Sequence, residues 1–373
     1  MSGSRNQSRV VLHVGLPKSG TSFLQRSLAE NAEALGDRGV LYPQTDDDVM
    51  FRAALDVRGN HKAWGRRRSD VEGAWDHLAS RAHAHTGTTV LSHEVLGAAC
   101  PRQVDRAMSM LKGLDVHVVV TARDPARQLV SEWQEGVKHG RRLTFAEFEA
   151  TVRSGRDGVA QHFHSSQDLL DVLGRWGHWL AADRVHLVTG PPDGADPRLL
   201  WSRFGEVVGF DPDGFPAGPG HANESLGVDE IDLLRRVNVA LAGRLGQPAY
   251  GRLAKHRVAQ ELLAGRGSPR PRLPLPLYDA LVPLGERWAK EVDRAGYTVH
   301  GDLDDLVPVP PDQEPGHPDA ATPATQVDAA AEVVAELLLD LAAAREQVAA
   351  KDAKRRSWKK QAKKLADRLA KAT

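Results

Sequence analysis

Short valine-rich apolar runs alternate with helix-length amphipathic segments through the first half of the chain. Val10 to Val14 precedes a helical pattern from about Gly20 to Leu35, Thr88 to Ser92 precedes Pro101 to Lys112, and Val116 to Thr121 precedes Ala126 to His139. A helix through Leu169, Leu173 and Trp176 leads to a further strand, Val185 to Val188, and helical patterns over Asp229 to Leu245 and Leu277 to Ala295 follow. Strands and helices taking turns in this way predict an α/β fold, a parallel sheet whose crossovers are helices.

The pattern breaks at Val307. VPVPPDQEPGHPDAATPAT gathers proline and small polar residues into an extended linker, so the α/β domain is expected over 1–306 and the linker over 307–326. Residues 327–373 then read as helix. Val327, Val334, Leu341, Val348, Ala362 and Leu369 fall on a seven-residue repeat, with Ala330, Leu337, Ala344, Trp358, Leu365 and Ala372 at the intervening apolar positions. Lys351 and Arg355 interrupt the stripe, and alanine offers little knob volume. Two uses stay open: a homo-oligomer built through this helix, or docking of the helix on its own domain. Its end, KDAKRRSWKKQAKKLADRLAKAT, is either a solvated basic face or a contact for an anionic surface such as membrane lipid.

Composition narrows the class. With 373 residues, 41% of them hydrophobic, the chain has enough apolar content for a large core. Lys plus Arg and Asp plus Glu both number 49, so no global basic field argues for a nucleic-acid partner. Cys100 is the one cysteine, which rules out an intramolecular disulfide and fits a reduced compartment. The polar opening MSGSRNQSR lacks the apolar core of a signal peptide, and no apolar run approaches the roughly 18 residues needed to cross a bilayer. A cytoplasmic protein is expected. His83 with His85, and His162 with His164, lack the partners or spacing of a zinc site, so no metal is expected.

The candidate chemistry starts where the first strand ends, in HVGLPKSGTSF, His13 to Phe23. Gly15 and Gly20 let backbone approach an anion, and the helix that follows presents its positive end. An ordinary nucleotide loop reads GxxxxGK[ST], with the lysine after the last glycine. Here Lys18 comes two residues before Gly20 and meets the anion from the open side of the loop, an arrangement poorly suited to a metal-bridged terminal phosphate. A second element follows an apolar strand in VHVVVTARDPARQLVSEW: Arg123 at the strand end, then Ser131 eight residues on, inside a helix that Asp124 caps and Pro125 starts. Guanidinium geometry matches phosphate bidentately.

PKSGTS resembles the PKSGT[ST] loop of sulfotransferases that use 3′-phosphoadenosine 5′-phosphosulfate (PAPS), and Arg123 with Ser131 resembles the arginine–serine pair that holds the 3′-phosphate in that family. The resemblance covers about His13 to Phe210. It implies a P-loop NTPase-like central parallel sheet flanked by helices, transfer of a sulfuryl group, and release of adenosine 3′,5′-bisphosphate (PAP). By the same resemblance Lys18 stabilises the leaving phosphate oxygen; Ser19, Gly20, Thr21 and Ser22 hold the 5′-phosphosulfate; and Phe23 stacks on adenine.

Transfer also needs a group to take the acceptor's proton. In TTVLSHEVLGAA the strand ends at Ser92, which brings His93 and Glu94 to the carboxyl edge of the sheet; Glu94 is the preferred base and His93 the second. The late Arg-Lys-Gly motif of cytosolic family members is absent, and Arg252, Lys255 and Arg257 in GRLAKHRVAQELLAGRG are the candidate substitutes. HANESLG, His221 to Gly227, resembles an Asn-x-Ser turn of bacterial relatives. HKAWGRRR, His61 to Arg68, is a solvated loop or a contact for an anionic acceptor. The acceptor itself, whether a small molecule, a glycan or a lipid, is not written in the sequence. A P-loop kinase or NTPase and a non-catalytic scaffold with a vestigial nucleotide pocket are the alternatives.

Overall fold

The computed structural model describes residues 8–44, 46, 48–192, 194–196, 198–215, 226–311 and 317–369, the last seven by backbone alone. Among the described residues six strands form one sheet: β1 (Arg9–His13), β2 (Val40–Leu41), β3 (Thr88–Ser92), β4 (Asp115–Ala122), β5 (Val185–Thr189) and β6 (Thr298–His300). Their order is β2-β3-β1-β4-β5-β6, and every neighbouring pair is parallel. The inner strands are buried along nearly their whole length and rich in valine because a parallel sheet is covered by helices on both faces. β1 lies between β3 and β4, so the chain leaves it first to one side and later to the other. Crossover segments part at such a point, and the crevice they leave lies at the carboxyl ends of the strands.

The helices are α1 (Thr21–Glu30), α2 (Ala32–Asp37), α3 (Val49–Arg58), α4 (Ala74–Ala84), α5 (Pro101–Ser109), α6 (Pro125–Lys138), α7 (Phe145–Ser154), α8 (Gly158–Gln167), α9 (Leu169–Gly177), α10 (Arg198–Val208), α11 (Val228–Leu241), α12 (Leu275–Ala295) and α13 (Pro323–Leu369). A wide helix with i→i+5 bonding spans Gly251–Leu262. The α/β class with a long C-terminal helix is therefore as the sequence indicated. The pattern over Gly20 to Leu35 is two helices, because the Asn31 amide donates to the Ser27 carbonyl (2.8 Å) and the backbone turns there. β2 and β6 were absent from the sequence reading.

Two cores flank α6. The larger joins the valines of β1, β4 and β5 to Trp176, Trp201 and Phe204. The smaller gathers Leu129, Val130, Trp133 and Val137 of α6 with Phe145, Phe148, Leu234 and Val333. α6 thus spends its apolar face on the second core, and Gln128, Ser131 and Glu135 occupy another face of the same helix. Asp124 caps it by accepting from the Arg127 N–H (2.9 Å), with Pro125 at its first position, as the sequence suggested.

The tail returns to the domain. Asp319 accepts from the N–H groups of Phe145 (2.7 Å) and Ala146 (2.9 Å) at the start of α7. Gln326 and Val333 of α13 are buried, and Gln326 donates to Asp232 (2.9 Å) on α11. Arg257 pairs with Asp340 (2.8 Å) and Glu336 (3.1 Å), and Arg266 with Glu332 (2.5 Å). Beyond Asp340 the described side chains of α13 are exposed. The side chains of Leu365 and Leu369, all of Ala372, and residues 221–225 of the HANESLG turn lie outside the described residues. Among the described residues no helix is long and apolar enough to cross a membrane.

Candidate functional site

Three neighbouring strands deliver their next residues to one edge of the sheet: β1 the glycine loop, β3 the pair His93 and Glu94, β4 Arg123. All ten candidate residues, Lys18, Ser19, Gly20, Thr21, Ser22, Phe23, His93, Glu94, Arg123 and Ser131, belong to these strand ends or to α1 and α6, which follow them.

The loop is held from below. His13, fully buried on β1, meets Ser92 Oγ on β3 through Nδ1 (2.8 Å) and Thr121 Oγ1 on β4 through Nε2 (3.1 Å). Burial lowers its pKa to about 4, so it stays neutral. Ser19 turns its hydroxyl inward, 2.6 Å from both the Leu16 carbonyl and Thr121 Oγ1; its side chain anchors the loop to β4. Gly15 has φ +42°, and a Cβ there would sit 2.5 Å from Thr21 Cγ2. Gly97, beyond β3, packs so closely that a Cβ would stand 2.9 Å from the Gly15 carbonyl oxygen. Gly20, at φ +94°, opens α1, whose first N–H groups have no partner within the helix. Thr21 is buried, Ser22 is exposed, and Phe23 packs partly against the large core.

Lys18 has φ +67°, a left-handed conformation that non-glycine residues rarely keep without a reason. Its Nζ lies 3.1 Å from Glu135 Oε2 on α6. Glu135 Oε1 also accepts from Lys255 Nζ (2.8 Å), and His139 Nε2 lies 3.0 Å from the same oxygen. Burial raises the pKa of Glu135, but His139, Lys18 and Lys255 outweigh it and hold the carboxyl far below its ordinary range. Nearby Lys138 is pushed down to about 8, by burial first and then by Lys18. Of the late basic residues, Lys255 therefore joins the Lys18 cluster, Arg257 is paired to α13, and Arg252 is exposed.

Arg123 and Ser131 do meet: Arg123 Nη2 donates to Ser131 Oγ at 2.5 Å and to the Arg127 carbonyl at 3.2 Å. Arg123 Nε donates to Gln128 Oε1 (2.9 Å), while Gln128 Nε2 donates to the Pro17 carbonyl in the loop. One carboxamide and two hydrogen bonds thus separate the guanidinium from the loop, a span of at most about 8 Å.

At the end of β3, Gln25 of α1 donates to Glu94 Oε2 (3.0 Å). His93 stacks on Phe51 (5.2 Å between centroids), Phe51 meets Trp64 edge-on (5.0 Å), and Trp64 meets His139 (5.4 Å). A chain of contacting side chains therefore runs from Glu94 through the aromatics to Glu135 and Lys18. A cavity of about 280 Å³ opens beside it, lined by Gln25, Tyr42, Gln44, Met50, Phe51 and His93 among others. Burial lowers the pKa of His93; for Glu94 burial works upward, but His93, the backbone and Gln25 bring it below its ordinary value. His93 Nδ1 accepts the Val95 N–H (3.2 Å), which in the neutral ring assigns the proton to Nε2. The arginines of HKAWGRRR are paired within their own region: Arg66 with Asp48 (2.8 Å), Arg67 with Asp70 (3.0 Å) and Arg68 with Asp56 (3.0 Å).

Sequence reasoning missed Gln128, Glu132, Glu135 and Gln167. Gln128, Ser131, Glu132, Glu135 and His139 share one face of the helix that follows Arg123, a polar stripe beside the apolar one whose pattern does not by itself distinguish a crevice from solvent.

A crystal structure of a sulfotransferase from Alicyclobacillus acidocaldarius is similar to this chain with a TM-score of 0.39 and 16% identity, covering 65% of this chain and 98% of that one. At that score the likeness is too loose to say anything of this chain's chemistry. No family model and no curated protein matches the chain.

Proposed function

We propose that this protein is a PAPS-dependent sulfotransferase, and that the outer half of α13 pairs with a second copy of the chain. The observation that carries the enzymatic reading is the join between the glycine loop and the Arg123–Ser131 pair through one side chain, Gln128. Two anion-binding elements that close suit one nucleotide bearing phosphates at both ends of its ribose. Gly15 and Gly20 keep the shape of the loop, since a Cβ at Gly15 would press on Thr21 and one at Gly20 would collide with Leu200 of α10.

In this reading the acceptor oxygen attacks sulfur as the bond from sulfur to the 5′-phosphate oxygen breaks. Lys18 turns from Glu135 to meet the charge on the leaving oxygen. Glu94 takes the acceptor's proton; the ionised carboxylate and the His93 tautomer, which offers a donor at Nε2, support this division. The acceptor occupies the cavity against Phe51 and His93.

Calorimetric titration with PAP, AMP and ATP tests the donor site. PAP is expected to bind at least tenfold more tightly than AMP, without magnesium. Tighter binding of magnesium–ATP would select a kinase or NTPase, and binding of none of the three, with self-association retained, a scaffold. Lys18→Met should leave the thermal transition of the fold in place and lower sulfuryl transfer by a factor on the order of 1,000, the scale of losing one charge-stabilising donor; turnover near the wild-type rate would remove Lys18 from the chemistry.

A further inference from the structure

We infer that Gln128 is a positioning residue that sets the glycine loop and Arg123 in fixed relation, so that the two ends of the nucleotide are recognised as one unit. The inference rests on the donor-site reading above and goes beyond it. Gln128 is only 2% exposed, and its amide is used at both ends. Oε1 accepts from Arg123 Nε (2.9 Å); Nε2 donates to the Pro17 carbonyl and to Gln167 Oε1 (2.6 Å). Gln167, the last residue of α8 and equally buried, turns its own Nε2 toward the Pro17 carbonyl (3.4 Å) and Glu132 Oε2 (3.3 Å). The reversed amide of Gln128 would set oxygen against the Pro17 carbonyl and N–H against the guanidinium, so the hydrogen bonds admit one orientation.

The consequences on the two sides differ. The Pro17–Lys18 peptide is planar and its C=O and N–H point in opposite directions, so holding the carbonyl toward α6 directs the Lys18 N–H away from it. Lys18 is the non-glycine residue of the loop with a left-handed backbone, and the pinned carbonyl fixes one side of that turn. On the other side, Gln128, Ser131 and the Arg127 carbonyl together set the plane of Arg123. A group common to both makes their separation a property of the protein before the nucleotide arrives, and preorganisation of this kind raises the gain from the second phosphate.

The test uses the full-length chain and two probes, PAP and AMP, titrated calorimetrically into wild type, Gln128→Met and Gln167→Met. The readout is the affinity ratio of PAP to AMP, which reports what the 3′-phosphate adds. Gln128→Met keeps the length of the side chain and loses all three of its hydrogen bonds; it should weaken PAP at least tenfold and shrink the ratio at least fivefold. Gln167→Met removes one hold on Pro17 and leaves the Gln128 bond to Arg123, so it should weaken both probes alike and keep the ratio. An unchanged ratio in Gln128→Met, whether the affinities hold or fall together, overturns the inference. Should that variant fail to fold by its thermal transition, Gln128→Leu, which likewise lacks the amide, takes its place with the same two outcomes. Failure of the donor-site reading looks different: wild type itself would bind PAP no better than AMP, and the inference would fall with it.

Discussion

Glu132 and Glu135 lie one helical turn apart on α6, and burial raises the pKa of both, yet their carboxyls end on opposite sides of the ordinary value. Glu135 has Lys18, Lys255 and His139 around it and is held low. Burial pushes Glu132 up to about 7 against the pull of Arg141, Lys18 and its hydrogen-bond partner Gln167. The sign of its effect on stability follows. Between its ordinary value of 4.5 and about 7 the folded chain binds more protons than the unfolded one, so this group lowers stability as pH rises through that window and keeps it lowered above. Glu132→Gln retains an oxygen for the Gln167 N–H and removes the charge. It should raise stability at pH 8 by on the order of 3 kcal/mol, from a shift of two to three pKa units. The gain should shrink toward zero near pH 4.5; a urea-unfolding series from pH 4.5 to 8 measures it, and a gain independent of pH would show that Glu132 is not the titrating group.

At the scale of elements, what was legible in the sequence depended on length and on contrast. β1, β3, β4 and β5 were readable because each is five or more residues long and centred on valine and leucine, as a buried parallel strand requires. β2 and β6, of two and three residues, are too short to show a period. The loop and the strand-end residues were legible because glycine, lysine and arginine at strand ends carry chemistry through their type and place. Glu135 and Gln128 were not, since a polar stripe on an amphipathic helix looks the same whether it faces water or a crevice. The start of α1 offers a test of the loop as an element. Gly20 combines φ +94° with a close approach to Leu200 of α10, where a Cβ would collide with Cδ2. Gly20→Ala should destabilise the chain by about 1–3 kcal/mol and abolish PAP binding. Adding Leu200→Ala relieves the collision but leaves the left-handed backbone, so the second change should restore little nucleotide affinity. Recovery of binding in the double variant would mean that space alone, and not backbone conformation, demands glycine at this position.

For the whole molecule, the long C-terminal helix divides near Asp340. Its inner part belongs to the domain: Gln326 and Val333 are buried, and Arg257 and Arg266 pair with Glu332, Glu336 and Asp340. The apolar positions of the seven-residue seam point elsewhere, with Val334 55%, Leu341 46% and Val348 60% exposed. One face of α13 is thus satisfied by the domain, and another is apolar and open. Charge along the helix is also segregated. Asp328, Glu332, Glu336, Asp340 and Glu346, with Arg345 among them, precede Lys351, Lys354, Arg355, Arg356, Lys359 and Lys360, with Asp352 among these. Antiparallel pairing of two copies sets the basic half of each beside the acidic half of the other, whereas parallel pairing aligns like charges. Full-length protein should therefore sediment as a dimer that weakens as salt is raised. Removing residues 341–373 should give a monomer with unchanged PAP affinity and little change in thermal transition. Removing 317–373 strips the Asp319 bonds to α7 and the Val333 packing as well, and should lower the transition by several degrees, the scale for losing 1–2 kcal/mol in a domain of this size. Orientation is tested in a Cys100→Ser background: Val334→Cys and Ala362→Cys, mixed as two single variants, should cross-link to each other under oxidation, while Val334→Cys alone should not. A disulfide-linked dimer of Val334→Cys alone would indicate the parallel arrangement, and a monomeric full-length chain at micromolar concentration would leave the open face of α13 without its second copy.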